Sequence, residues 1–212
     1  MIRLDYAASQ IGAVWKMGWN RPGWEETLDR TVDGVFKSFW AIFLAVPFSF
    51  LGFYSARRFA ERTPDATESL LAHAPFALGL GIHSVAFLAD WGVQLAALIF
   101  CARALSIGWR ITDVIVGFNW LQLIITMVQS APYAVLGVTG ALDSAKPLFL
   151  VTSIFVLAFL WGYLRRSFAA RISPTIGLMV VVLLVGLLTN LIIGGLASMM
   201  LRPVTIIVQS GS

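Results

Sequence analysis

The chain has 212 residues, 58% of them hydrophobic and only 12% charged, with a formal net charge of +4 and a mean hydropathy of +0.83. Soluble domains carry about 25% charged residues, so an ordinary soluble domain is excluded, and no basic-aromatic surface of the size nucleic acid needs is visible. The single cysteine, Cys101, excludes an intrachain disulfide, and the modest positive excess speaks to membrane orientation and anionic lipid.

Five apolar stretches, 35–56, 82–105, 114–138, 147–164 and 175–201, read as membrane spans. About 20 residues at roughly 1.5 Å each cross the ~30 Å hydrocarbon core. The expected fold is therefore all-α and polytopic, with residues 1–34 as a cytoplasmic amphipathic segment, 35–202 as the five-span domain and 203–212 as a mobile tail. Asp5 interrupts the place where a signal peptide would become apolar, so the first span is expected to serve as the insertion signal.

In chain order, Leu4, Ala8, Ile11, Trp15 and Gly18/Trp19 fall at helical spacing. They predict an interfacial helix that lies in the headgroup plane or packs on the protein's own spans. Asn20-Arg21-Pro22-Gly23 reads as a turn. A short helix is expected to start near Trp24, with Glu25 and Glu26 against its dipole, and to be broken from span one at Asp33-Gly34. Span one carries Ala41, Ala45 and Ser49 at four-residue intervals, a small-residue stripe suited to close helix approach. Thr63-Pro64-Asp65 reads as a helix start, and the glycines of Gly79-Leu80-Gly81 as a hinge below span two. The residues from Gly140 to Pro147 read as a loop, and span four as the shortest, ending in Trp161, Tyr163, Arg165 and Arg166. Span five repeats Gly186, Asn190, Gly194 and Ser198 every fourth residue, a second packing stripe, and Arg202-Pro203 is expected to end it.

Counting basic residues by side gives Arg3, Lys16, Arg21, Arg30, Lys37, Arg103, Arg110, Arg165, Arg166 and Arg171 at one end and five at the other. The positive-inside rule then places the N-terminus in the cytoplasm and the C-terminus outside. The arginines Arg103, Arg110, Arg165, Arg166 and Arg171 are candidates for holding an anionic lipid headgroup, against the plainer reading that they only set topology. Arg outnumbers Lys twelve to three, which points to a GC-rich bacterium and hence an inner membrane.

Chemistry concentrates on two spans. His83, Phe87, Asp90 and Gln94 share one face of span two, and Asn119, Gln122, Thr126 and Gln129 form a polar stripe on span three. A carboxylate at such depth costs a few kcal/mol or more, so it usually has a partner or a task. Asp90 either bonds Asn119, Gln122 or Gln129 as interhelical glue, or takes part in a proton or cation path. His73 and His83 lack the neighbours of a metal site, and no nucleophile elbow, phosphate loop or dinucleotide fingerprint is present, so no catalytic residue, metal or cofactor is expected.

An amphipathic N-terminus followed by five closely spaced spans resembles the Yip family of small membrane proteins, by the layout of segments rather than by a motif. That resemblance implies a non-enzymatic, membrane-organising role and carries over no residue. Three functions stand as expectations. One is a scaffold or accessory subunit that meets lipids and another membrane protein, or itself, through its small-residue faces. The second is a small transporter or cation-linked channel using Asp90. The third is an intramembrane lipid-modifying enzyme.

Overall fold

A computed structural model describes residues 3–62 and 74–210; the expected helix start at Thr63-Pro64-Asp65 and His73 lie outside the described residues. All regular structure among them is helical: α1 (Leu4–Gly18), α2 (Val32–Ser38), α3 (Trp40–Arg62), α4 (Phe76–Ala104), α5 (Ile111–Thr139), α6 (Leu142–Ser167) and α7 (Ile172–Ser210), with one 3-10 turn at Gly108–Arg110. Five stretches are long and apolar enough to cross a membrane: Val32–Arg62, Phe76–Ala104, Gly108–Thr139, Leu142–Ser167 and Ile172–Met199. The protein is thus an all-α, polytopic membrane protein.

Helix α5 is the most enclosed of the five and α7 the least. Helices α3 and α6 lie against α5 from two sides, α1 and α2 join it at one end, and α4 pairs chiefly with α7. The bundle therefore has a tight body around α5 and a looser α4–α7 pair set against it. Val114, Phe118, Trp120 and Leu121 of α5, with Phe159 and Tyr163 of α6, fill the body's centre.

The N-terminal segment docks by a face other than the one the apolar spacing predicts. Ala7, Gln10, Ala13, Val14, Met17 and Gly18 are buried, while Leu4, Trp15 and Trp19 stay exposed. The reason is steric and polar. Gly18 lies so near α6 that a Cβ built on Gly162 would sit 1.7 Å from the Gly18 carbonyl oxygen. Gln10 is buried because its side chain donates to the Thr27 carbonyl at 3.0 Å and accepts the Asp29 amide at 2.9 Å. Periodicity of apolar residues registers neither a glycine contact nor a satisfied amide.

The turn at Asn20–Gly23 forms as expected, with positive φ at Asn20 and Gly23. No helix starts at Trp24; the stretch from Trp24 to Thr27 is a run of turns, held by burial of Trp24 and Leu28. The short helix begins instead at Val32, where the Thr31 hydroxyl accepts the Gly34 amide at 2.9 Å as an N-cap. Asp33-Gly34 is inside α2, not a break. Gly34 is needed there because a Cβ would fall 2.4 Å from the Asp29 carbonyl oxygen. The chain departs from helix only at Phe39.

Three further boundaries differ from the sequence reading. Helix α4 starts at Phe76 and runs without interruption through Gly79 and Gly81, so there is no hinge. Gly79 is small because the Phe53 ring lies against it, 3.4 Å from where a Cβ would be. The expected loop before span four is mostly helix, opened by Asp143, which pairs with Lys146 at 2.7 Å. Helix α7 continues past Pro203 to Ser210, so Arg202-Pro203 does not end it.

Candidate intramembrane binding site

Asp90 is the middle residue of the 29 in α4, as deep as that span allows. Its Oδ2 accepts a hydrogen bond from Gln94 Nε2 at 2.8 Å, and Gln94 Oε1 in turn accepts from Gln122 Nε2 of α5 at 3.3 Å. This relay ties the looser α4–α7 pair to the central helix. The other carboxylate oxygen, Oδ1, is buried and has no hydrogen-bond partner among the described residues. It faces Gly186 of α7, where an added Cβ would come within 3.5 Å of it.

The α4–α7 pair stands off from the body, and two clefts fill the gap. The larger, about 470 Å³, lies between α3, α4, α5 and α7 and gathers Ser49, His83, Asp90, Gln122, Gln129 and Asn190 among aromatic and aliphatic walls. The smaller, about 280 Å³, lies between α4, α5, α6 and α7 and shares Asp90, Gln122, Gln129 and Asn190 with the first while adding Gln94. Asp90 is the one acid in either lining, and neither contains Lys or Arg. A carboxyl group with no basic residue beside it in the lining of an apolar, aromatic-walled cleft has the chemistry to hold a proton or to meet a small cation.

The sequence candidates are brought together in part. His83, Asp90, Gln122, Thr126 and Gln129 line the larger cleft and Gln94 the smaller. Thr126 turns its hydroxyl back to the Gln122 carbonyl at 2.8 Å, whereas Gln129 makes no hydrogen bond among the described residues. His83 and Asp90 do not touch. Seven residues separate them, about 10 Å along a helix axis, and His83 Nε2 is instead 2.9 Å from Ser49 Oγ of α3.

Asn119 belongs elsewhere. It is fully buried, accepts from Trp91 Nε1 at 2.9 Å and donates to Ser38 Oγ at 2.8 Å. That network fastens α2, α4 and α5, and Asn119 lines neither cleft. Thr126, seven residues on and only about 20° round the helix from Asn119, does line the larger cleft, so what sets Asn119 apart is its level along α5 rather than its face.

The packing stripes divide as well. Ala41 and Ala45 are fully buried, as close packing requires. Ser49, two turns past Ala41, opens into the larger cleft. On α7 only Gly186 is used for close approach. Asn190 is exposed and donates to the Gly186 carbonyl at 2.8 Å, and a Cβ on Gly194 would meet nothing within 4 Å. Ser198 bonds back to the Gly195 carbonyl at 2.7 Å. The second stripe is therefore a cleft wall and an open face rather than an internal seam.

Sequence reasoning missed one buried ion cluster. Asp113, at the start of α5, is 4% exposed and meets Arg30 Nε at 2.9 Å and Arg110 Nε at 3.0 Å. The Arg110–Asp113 spacing of three was its only local signal. It pairs Arg110 with a carboxylate, unlike the other candidate headgroup arginines among the described residues. Arg103, Arg165 and Arg171 are exposed, and Arg166 donates to the Asn20 carbonyl at 3.2 Å. Among known proteins, no family model matches this chain, and no curated protein or solved structure matches it either.

Proposed function

We propose that the protein is a small transporter or cation-linked channel in which Asp90 supplies the counter-charge for a proton or small cation. The observation that carries this reading is the buried Asp90 Oδ1, without a donor among the described residues, at the midpoint of α4 and in the wall of both clefts. A carboxylate kept only as glue is expected to have its oxygens satisfied by the helices it joins. Asp90 satisfies one and leaves the other. Gln129 and Asn190 offer further polar groups on opposite sides of the larger cleft. The aromatic faces of Phe53, Phe87, Trp91 and Tyr133 suit a cation stripped of water. On the positive-inside rule we place the basic end in the cytoplasm and the protein in a bacterial inner membrane.

The test is flux through vesicles reconstituted with purified protein. Under an imposed pH or cation gradient, Asp90→Asn is expected to abolish the wild-type flux at equal protein incorporation. Flux in that variant at the wild-type rate sinks the reading.

A second reading rests on the open face of α7, where added Cβ atoms at Gly194 and Gly195 meet nothing within 4 Å. It makes the protein a scaffold or accessory subunit of the membrane-organising kind. It expects a companion or a second copy to persist in mild detergent, and a lone chain with intact Asp90-dependent flux decides against it.

A further inference from the structure

At the basic end of the bundle a third cleft, about 350 Å³, is lined by Arg110, Arg165 and Arg166 with Trp24, Asn20 and Glu25, and closed by Ala169 and Ala170. It is far from the Asp90 clefts and shares no residue with either. We propose that this cleft is a binding site for a phosphate-bearing anion, supplied by the headgroup of an acidic phospholipid.

The charge balance sets the chemistry. Asp113 is shared between exposed Arg30 and buried Arg110, so that trio keeps one positive charge. Arg165 and Arg166 have no carboxylate partner among the described residues, and Glu25 is the one acid in the lining. Four guanidinium groups against two carboxylates leave two positive charges, enough for a phosphodiester or a phosphomonoester. The donors are also unspent. Arg166 uses one Nη2 hydrogen on the Asn20 carbonyl at 3.2 Å, while its Nε is buried with no partner among the described residues. A guanidinium offers its N–H groups as a planar fork that matches phosphate oxygens in pairs.

The surroundings fit a lipid source. Trp24, 2% exposed, is held between Arg30 at 5.2 Å and Arg110 at 5.9 Å, so the cleft's inner wall is rigid. Trp109, beside Arg110, is 77% exposed, and Trp15 and Trp19 of α1 are partly exposed. Exposed tryptophans gathered near one end of a bundle mark the headgroup layer. A site at that level, opening beside the start of α7, meets phospholipid headgroups before any soluble anion.

The experiment uses the full chain in neutral detergent and reads its thermal unfolding midpoint against added phosphatidylglycerol, phosphatidylcholine or inorganic phosphate. Phosphatidylglycerol is expected to raise the midpoint and zwitterionic phosphatidylcholine not to. Arg165→Gln and Arg166→Gln are each expected to weaken the response about five-fold, the effect of losing one headgroup-facing charge. Glu25→Gln changes no arginine and is expected to strengthen it by a similar factor. Arg165→Lys keeps most of the response, and Arg62→Gln, at the other end, keeps all of it. The Glu25 variant preserves the test if Arg166→Gln fails to fold, since its change has the opposite sign. An equal response to inorganic phosphate alone confirms the anion site and overturns its lipid source. A phosphatidylglycerol response unchanged in both Arg165→Gln and Glu25→Gln overturns the proposal.

Discussion

The contact between α1 and α6 makes the sharpest stability prediction. A methyl group at position 162 would be 1.7 Å from the Gly18 carbonyl oxygen and 2.5 Å from its carbon. Ordinary non-bonded contact is about 3.5 Å, so α1 has to retreat by roughly 1.8 Å. The obstacle is backbone, and no side-chain rotation relieves it. Gly18 itself is equally constrained, because a Cβ there would be 2.1 Å from the Phe159 ring. Retreat also loosens Ala13, Val14 and Met17, each 0% exposed. Overpacking typically costs 1–3 kcal/mol, and a backbone clash belongs at the upper end, about 3 kcal/mol. At 2–4 °C per kcal/mol, Gly162→Ala is expected to lower the unfolding midpoint by roughly 6–12 °C. The matched control is Gly12→Ala in α1, where an added Cβ meets nothing within 4 Å. It is expected to stabilise by about 0.5–1 kcal/mol through helix propensity. Thermal unfolding in detergent, followed by circular dichroism, compares the two. A Gly162→Ala midpoint at or above wild type means that α1 does not dock on α6 as described.

Other expectations concern polar contacts. Asn119→Leu leaves the Trp91 indole N–H unsatisfied beside Ser38 and is expected to cost about 2–3 kcal/mol, against about 1 for Ser38→Ala, both read as denaturation midpoints. Asp29 gives a pH dependence. Its burial disfavours the charged form, but bonds from the Thr31 hydroxyl and amide and from Tyr6 outweigh this and hold the carboxyl below its ordinary value. A lowered folded pKa gives stability that is present above the unfolded value near 3.9 and lost as pH falls through the folded one. Acid titration below about pH 4 should therefore destabilise wild type more than Asp29→Asn; equal acid slopes refute the assignment.

The five spans are legible because apolar length alone sets them, and the observed stretches contain or overlap every expected one. The polar site was half legible. Spacing of three and four placed His83, Asp90 and Gln94 on one face of α4, and Gln122 and Gln129 on one face of α5. What spacing does not encode is which neighbour each face meets. Asn119 and Gln122 read as one stripe, yet the first meets Ser38 and Trp91 while the second meets Gln94. Ser49 and Asn190 read as packing residues because they sat in small-residue repeats, and both line the larger cleft. Asp113 was illegible as an anchor, since its partner Arg30 lies in an N-terminal turn whose position depends on the docking of α1.

Asp113, 4% exposed, and Asp90, half-buried, separate structure from function. Asp113 has both oxygens engaged by arginines, so Asp113→Asn strands two guanidinium groups, one of them in a side chain only 8% exposed. Breaking a buried pair from one side costs about 3–5 kcal/mol, which is expected to unfold or badly deplete the protein. Asp90→Asn differs in kind. The new side chain keeps an oxygen to accept from Gln94, and its amide nitrogen replaces an oxygen that had no donor. The Asp90–Gln94 bond lies within α4, and side-chain pairs four apart on a helix are worth about 0.2–0.5 kcal/mol, so even complete loss of that contact is small. Asp90→Asn is therefore expected to remain within about 1 kcal/mol of wild type by denaturation in detergent while losing the proposed flux. If Asp90→Asn instead falls as far as Asp113→Asn, the carboxylate is a structural member and the flux argument loses its foundation. If both variants are stable, the arginine cluster does not hold the N-terminal turns against α5.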